Sequence, residues 1–228
     1  MQRKLLITKD GSHTVSIPEM NVTYHSIHGA IQESRHVFIE AGLHGSECLQ
    51  QSEPCRILEM GFGTGLNALL TLIEAEKTGK IIHYETMELY PLREEEARSL
   101  NYCRQLNRPD LQQAFEKMHS CNWEREIVIS NNFTLKKSAS SPINHLTNHL
   151  INLIYFDAFA PAAQPELWTK EVFEKLYSMM KPGGTLVTYC SKGNVRRAMQ
   201  SAGFAVEKIP GPPGKREMLR GRKVIQVI

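Results

Sequence analysis

Apolar positions along the chain change their period several times, and each change marks an element. In residues 1–52, "RKLLIT-KDGS-HTVSI" sets two β-prone runs about an Asp-Gly turn and predicts a hairpin. "NVTYHS" offers a further strand, and "AIQESRHVFIEAGL" brings Ile31, Val37, Phe38 and Ala41 onto helical spacing. Past Glu53 the pattern becomes an alternation of short apolar runs and helical stretches. "CRILEM" predicts a buried strand, "GLNALLTLIEAEKTG" a helix closed by Gly79, and "KIIHYETMEL" the next strand. Pro91 opens a helix over "LREEEARSL", with its acids in the first turn where the helix dipole favours them. "DLQQAFEKMH" predicts a helix, and "REIVISNNFTLKK" predicts two strands about an Asn-Asn turn. Then come the strand "INLIYFDAFAP", the helix "PELWTKEVFEKLYSMMKPGG", the strand "TLVTYC" and a helix over "NVRRAMQSAGF". "AVEKIPG" and "REMLRGRKVIQVI" close the chain as an antiparallel pair.

This alternation predicts an α/β fold with a mostly parallel sheet over 53–228, preceded by a small extension over 1–52. At 228 residues with 41% hydrophobic positions, the chain suits one globular unit with an appendage. The N-terminal apolar run Leu5-Leu6-Ile7 is too short for a signal peptide, and no segment has the apolar length of a membrane helix. Five cysteines without a C-x-x-C pair point to a reduced, cytoplasmic protein.

Net charge is only +3, but it is unevenly placed. From Lys192 onward, nine Lys/Arg stand against Glu207 and Glu217, so the tail carries +7 and the remainder −4. Such asymmetry is the footprint expected for a nucleic-acid backbone, although an ordinary solvated face produces it too.

The candidate chemistry begins at "LEMGFGTGLN". In a parallel α/β sheet, ligands bind beyond the carboxyl ends of the strands, so the first strand-to-helix turn is the place to look. Gly61, Gly63 and Gly65 follow G-x-G-x-G rather than the dinucleotide spacing G-x-G-x-x-G, and no Gly-Lys-Ser/Thr follows for a P-loop. Glu59 at the strand tip would repel a diphosphate and attract a sulfonium or an α-amino group. Glu88, at the end of the next strand, is placed to take both hydroxyls of a ribose. A ribose, a positive end and no phosphate describe S-adenosylmethionine; Phe62 and Asn67 join the candidate cofactor residues by their place in the turn. The alternative is a purely structural tight turn.

Four stretches, "EMGFGTGLN", "YFDAFAPAAQPELWT", "GGTLVTYCSKGNVRRAMQSAGF" and "GPPGKREMLRG", together resemble the methyltransferase module of the tRNA 5-methylaminomethyl-2-thiouridine biosynthesis family (MnmC, or stand-alone MnmD). "YHSIHGAIQESRHVFIEAGL" resembles that family's lead-in. The resemblance implies a Rossmann-like class I methyltransferase fold: a seven-stranded, mostly parallel sheet with a final antiparallel strand. It implies methylation of the aminomethyl group on the wobble uridine of a tRNA anticodon loop. The family's fused FAD-dependent oxidase is expected to be absent, and with it FAD. One departure stands out, since the family's adenine-binding acid has no counterpart between Glu126 and Asp157. Ser138, Ser140 or a backbone carbonyl would have to serve instead.

The nucleophile implied is an amine, protonated in water. Asp157, at the tip of "INLIYFD", is the candidate to hydrogen-bond it, orient it and accept its proton. Phe159 and Pro161 would wall the splayed base. The plain alternative is that Asp157 caps the following helix. Lys192, Arg196, Arg197, Lys215, Arg216 and Arg220 are candidates for phosphate contacts, with Lys215 and Arg216 presented by the stiff turn Gly211-Pro-Pro-Gly214. Six such contacts predict a log–log salt slope of about −4 to −5. His145 and His149 lack the Glu of H-E-x-x-H, so no metal site is expected. A small-molecule aminopropyltransferase and a non-catalytic RNA-binding protein on the same fold remain as alternatives.

Overall fold

A computed structural model describes residues 2–224, and the predicted final strand beyond Val224 lies outside them. Near the N-terminus, β1 (Lys4–Ile7), β2 (His13–Ile17) and β3 (Val22–Thr23) form a small antiparallel sheet. The predicted helix follows as α1 (Ala30–Ser34), which widens into a π-helix over Arg35–His44. That π-helical turn buries Val37, Phe38, Ile39 and Leu43 in one core with Tyr155 and Val187 of the main sheet. The extension is therefore packed onto the body through its apolar stripe.

The main sheet has eight strands, in the order β10-β11-β9-β8-β4-β5-β7-β6. They are β4 (Cys55–Met60), β5 (Ile82–Met87), β6 (Glu126–Ser130), β7 (Phe133–Ser138), β8 (Ile151–Phe156), β9 (Met180–Thr188), β10 (Phe204–Pro210) and β11 (Glu217–Lys223). Strands β7, β5, β4, β8 and β9 are mutually parallel, while β11, β10 and β6 run antiparallel to their neighbours. The expected seven strands become eight because both runs flanking the Asn131-Asn132 turn join the sheet. β6 is the outer edge strand, half exposed, and needs only one neighbour.

Between the strands lie α2 (Leu66–Thr78), α3 (Glu94–Arg98), α4 (Tyr102–Gln105), α5 (Gln112–Ser120), α6 (Lys170–Met179) and α7 (Gly193–Ser201). α3 begins after Arg93 rather than at Pro91: Arg93 N–H donates to Glu96 Oε2 at 2.8 Å, and this bond from the first turn fixes the start. α6 is capped by the Thr169 side chain and stops at Met179, so the "MKPGG" read as its end opens β9 instead. Pro182 explains this, since the residue before a proline is pushed out of the helical region.

Chain order reverses at β4, with β5 on one side and β8 on the other, so the carboxyl ends of these three strands frame a crevice. Cys48 and Cys55 are joined as a disulfide, which corrects the expectation of reduced thiols throughout. The loop before β4 folds back until the two Cα atoms are 5.4 Å apart, a span that such a bridge fits and that no motif in the sequence announced. Among the described residues no helix is long and apolar enough to cross a membrane.

Candidate functional site

The crevice is a cleft of about 300 Å³ over the tips of β4, β5 and β8. Its glycine turn is built as the sequence implied. Gly61 has φ +90° and Gly63 φ +51°, left-handed conformations that side chains disfavour. A Cβ on Gly61 would come within 3.2 Å of the Asp157 carbonyl, and one on Gly63 within 2.9 Å of the Tyr24 ring. Gly61 and Gly63 line the cleft together with Phe62, whereas Gly65 sits behind them as the left-handed residue that starts α2.

Glu88 follows β5 and also lines the cleft. Its Oε2 accepts from Gly63 N–H at 3.0 Å and its Oε1 from Tyr90 N–H at 2.7 Å. The carboxylate thus ties the glycine turn to the loop after β5, and each oxygen keeps a second lone pair for a ligand.

Asp157 stands at the cleft floor, where its backbone N–H donates to Met60 O at 3.1 Å. Asn67, in the first turn of α2, is the hub: Nδ2 donates to Asp157 Oδ2 at 2.8 Å and to Glu59 Oε1 at 3.0 Å. Glu59 does not line the cleft. It is fully buried behind Asn67, which corrects the picture of an acid at the mouth of the turn. Burial, reinforced by the Asp157 charge and opposed by the Asn67 amide, pushes the Glu59 carboxyl well above its usual range. Burial and the charge of Glu33 likewise push Asp157 well up, while Asn67 and Lys215 pull the other way.

The raised Glu59 carries a stability prediction. A carboxyl whose folded pKa exceeds its unfolded value stabilises the fold below the unfolded pKa, and that contribution is lost as pH rises through the folded pKa. Glu59→Gln keeps an oxygen for Asn67 and removes the buried charge. Its Tm should exceed that of the parent at pH 8 by a few degrees, with the gain vanishing near pH 4. Equal melting curves at both pH values would contradict the assignment.

Phe159 lines the cleft with its ring edge-on to Tyr24, centroids 5.0 Å apart; Pro161 is outside the lining. Ser140 lines the cleft with Oγ 3.0 Å from His145 Nδ1, while Ser138 Oγ donates to Glu124 Oε2 at 3.0 Å. Glu124 also accepts from Ala139 N–H at 2.8 Å, so an acid that precedes Glu126 braces this loop. The hairpin of β6 and β7 brings it there, which sequence position alone conceals.

Lys215 differs most from expectation. It turns inward: Nζ is 2.7 Å from Glu33 Oε1 and 3.9 Å from the centre of the Tyr189 ring. Tyr189 in turn donates to Ala158 O at 2.8 Å, beside Asp157. Arg220 is held by Glu207 at 2.7 Å. Neither is free for a phosphate. Lys192, Arg196, Arg197 and Arg216 are exposed and have no ion-pair partner among the described residues. They sit at the start of α7 and just before β11, on the same edge of the sheet as the cleft.

The charge of the cleft decides what it accepts. Its lining includes the acids Glu88, Asp157 and Glu166 and no lysine or arginine. His25, also in the lining, is neutral at ordinary pH because burial pulls its pKa down to about 4. A diphosphate would meet three acids and no cation here, whereas a cationic nucleoside fits. Asn67 Oδ1 is buried beside the cleft and has no hydrogen-bond partner among the described residues. Among the described residues no cluster of three or more His, Cys, Asp or Glu is placed to hold a metal.

Comparison with known proteins agrees with this geometry. Residues 112–224 match the family model described as S-adenosyl-L-methionine-dependent methyltransferase. The chain is similar to the tRNA 5-methylaminomethyl-2-thiouridine biosynthesis bifunctional protein MnmC of Pseudomonas fluorescens, 34% identical over 87% of this chain and 32% of that protein. The protein of the same name from Aeromonas hydrophila is 31% identical over 90% of this chain and 33% of its own length. The chain thus spans about a third of the length of the curated relatives it matches. Among solved structures, MNMC2 from Aquifex aeolicus superposes with a TM-score of 0.77 over 96% of this chain and 70% of that one, at 22% identity. A spermidine synthase from Thermotoga maritima shares the fold at a TM-score of 0.55 and 11% identity, over 97% of this chain and 68% of its own.

Proposed function

Because the chain resembles the methyltransferase module of the MnmC proteins, we propose that it is a tRNA methyltransferase. It would convert the 5-aminomethyl group of a wobble (2-thio)uridine to 5-methylaminomethyl. The observation that carries this reading is the cleft itself: acids and no cations inside, with exposed cations on the same edge outside.

The chemistry that S-adenosylmethionine supplies when bound is an electrophilic methyl group on sulfur. Glu88 would hold the ribose hydroxyls, and the backbone at Gly61, Phe62 and Gly63 would let the cofactor approach closely. Asn67, with Nδ2 committed to two carboxylates, would hold Asp157 in place at the floor of the cleft. Glu59 acts through Asn67, fixing which way that amide faces.

The substrate amine arrives protonated and must present a lone pair. Asp157 accepts a hydrogen bond from it and takes its proton. Its raised pKa narrows the basicity gap between carboxylate and amine, which favours that transfer. Lys215 and Glu33, paired with one another, flank Asp157 and set the local charge rather than touching tRNA. Phe159 and Tyr24 form the aromatic wall for an unstacked base, and Leu89 and Tyr90 extend it as exposed apolar groups at the rim. A tRNA substrate places the protein in the cytoplasm as part of the same proposal.

Incubation with labelled S-adenosylmethionine tests the reading. Transfer to tRNA bearing 5-aminomethyluridine is expected; transfer only to a polyamine or other small amine would refute it. Salt dependence gives a second check. With Lys215 and Arg220 engaged internally, four exposed cations remain, so the log–log slope for tRNA binding should be about −3 to −3.5. Replacing Arg196 and Arg197 together by alanine should reduce that slope by about 1.5 to 2. An unchanged slope would remove α7 from the interface.

A further inference from the structure

The loop between β8 and α6 holds a donor that the proposed chemistry has not used. Gln164 lines the cleft together with Asp157 and Phe159. Its Oε1 accepts from Phe159 N–H at 3.0 Å. A backbone N–H can only donate, so this bond fixes the orientation of the amide: oxygen toward Phe159, Nε2 away from it. No described residue accepts from Nε2.

The support beneath this side chain is firm. Gln164 N–H donates to Ala160 O at 3.1 Å, and Trp168 Nε1–H donates to Phe159 O at 2.8 Å. Phe159 is therefore clamped at both its backbone groups, and the amide is held against a fixed partner. A polar group kept in one orientation at the wall of a cleft, with both its hydrogens unspent, is the arrangement that discriminates ligands by hydrogen bonding.

We propose that Gln164 is a specificity-determining residue that donates from Nε2 to the carbonyl acceptor next to the reacting arm of the substrate base. The inference rests on the tRNA methyltransferase reading above. In a 5-substituted uracil the group neighbouring carbon 5 is the acceptor on carbon 4. In this proposal that acceptor lies on the side of the loop that carries Gln164, since Asp157, where the aminomethyl arm would sit, lines the same cleft. In a 5-substituted cytosine the same position bears an amino group, a donor, which would face Nε2 donor to donor. The cleft thereby favours uracil over cytosine by chemistry rather than by size.

The test compares two anticodon stem-loop RNAs, one with 5-aminomethyluridine and one with 5-aminomethylcytidine at the target position. The parent protein should prefer the uridine substrate by about 100-fold in kcat/KM, as hydrogen-bond readout of one edge allows. Gln164→Glu keeps an oxygen for Phe159 N–H but turns the free donor into an acceptor. It should lose at least about tenfold on the uridine substrate and erase or invert the preference. Unchanged binding of S-adenosylhomocysteine shows that the variant retains its fold and cofactor site. If the parent methylates the uridine RNA and Gln164→Glu keeps the same uridine-to-cytidine ratio, the role of Gln164 is overturned while the enzyme assignment stands. Transfer to neither RNA by the parent overturns both.

Discussion

Asp157→Ala should lower methyl transfer about a thousandfold while leaving S-adenosylhomocysteine affinity within a few-fold of the parent. The size follows from two jobs that the proposed reading gives Asp157 together. Asp157 is the acid at the floor of the cleft that can receive the amine proton; Glu59 lies behind Asn67 and outside the lining. Its oxygen also fixes the direction of approach, since methyl transfer needs nucleophile, carbon and sulfur in line. Asp157→Asn should be nearly as inactive. Its oxygen would be drawn to Asn67 Nδ2, leaving an NH₂ donor facing an amine that needs an acceptor. The pH dependence separates the two jobs. If proton acceptance dominates, the deficit shrinks at high pH, where the free amine loses its proton in solution; if positioning dominates, the deficit persists. Turnover by Asp157→Ala within tenfold of the parent would remove Asp157 from the mechanism.

The sequence made the glycine turn and Asp157 legible because both are local. A strand, a turn that only glycines tolerate and a helix declare themselves over a dozen positions, and the D-x-F-x-P tip lies at the end of a strand that is apolar but for Asn152. What stayed hidden depends on contacts far apart in the chain. Lys215 pairs with Glu33 across 182 positions, and composition alone read it as part of a basic tail. Glu59 was misplaced for another reason. β4 is covered on both faces, so its alternation does not say which side chain points to the cleft and which toward α2. The orientation of Gln164 likewise comes from a hydrogen bond within a loop, which no periodicity encodes.

These same contacts decide how the second large effect should be measured. Glu88→Ala should weaken S-adenosylhomocysteine at least 100-fold, about 2.7 kcal/mol, because it removes two things together. One is the pair of charge-assisted bonds that the proposed reading gives Glu88 with the ribose. The other is the tie that Glu88 makes between Gly63 N–H and Tyr90 N–H, at 3.0 and 2.7 Å, which holds the glycine turn in its left-handed course. Glu88→Gln cannot replace it: one end of the amide is a donor and would face one of those two N–H groups, so it should fall between parent and alanine variant. A ligand analogue lacking the ribose 2′-hydroxyl divides the effect. If recognition of the ribose dominates, the parent loses affinity for the analogue and Glu88→Ala loses little more, a coupling that a double-mutant cycle reads directly. If the turn dominates, the two losses add. A calorimetric Kd for Glu88→Ala within threefold of the parent would refute both roles, and with them the assignment of this end of the cleft to a ribose.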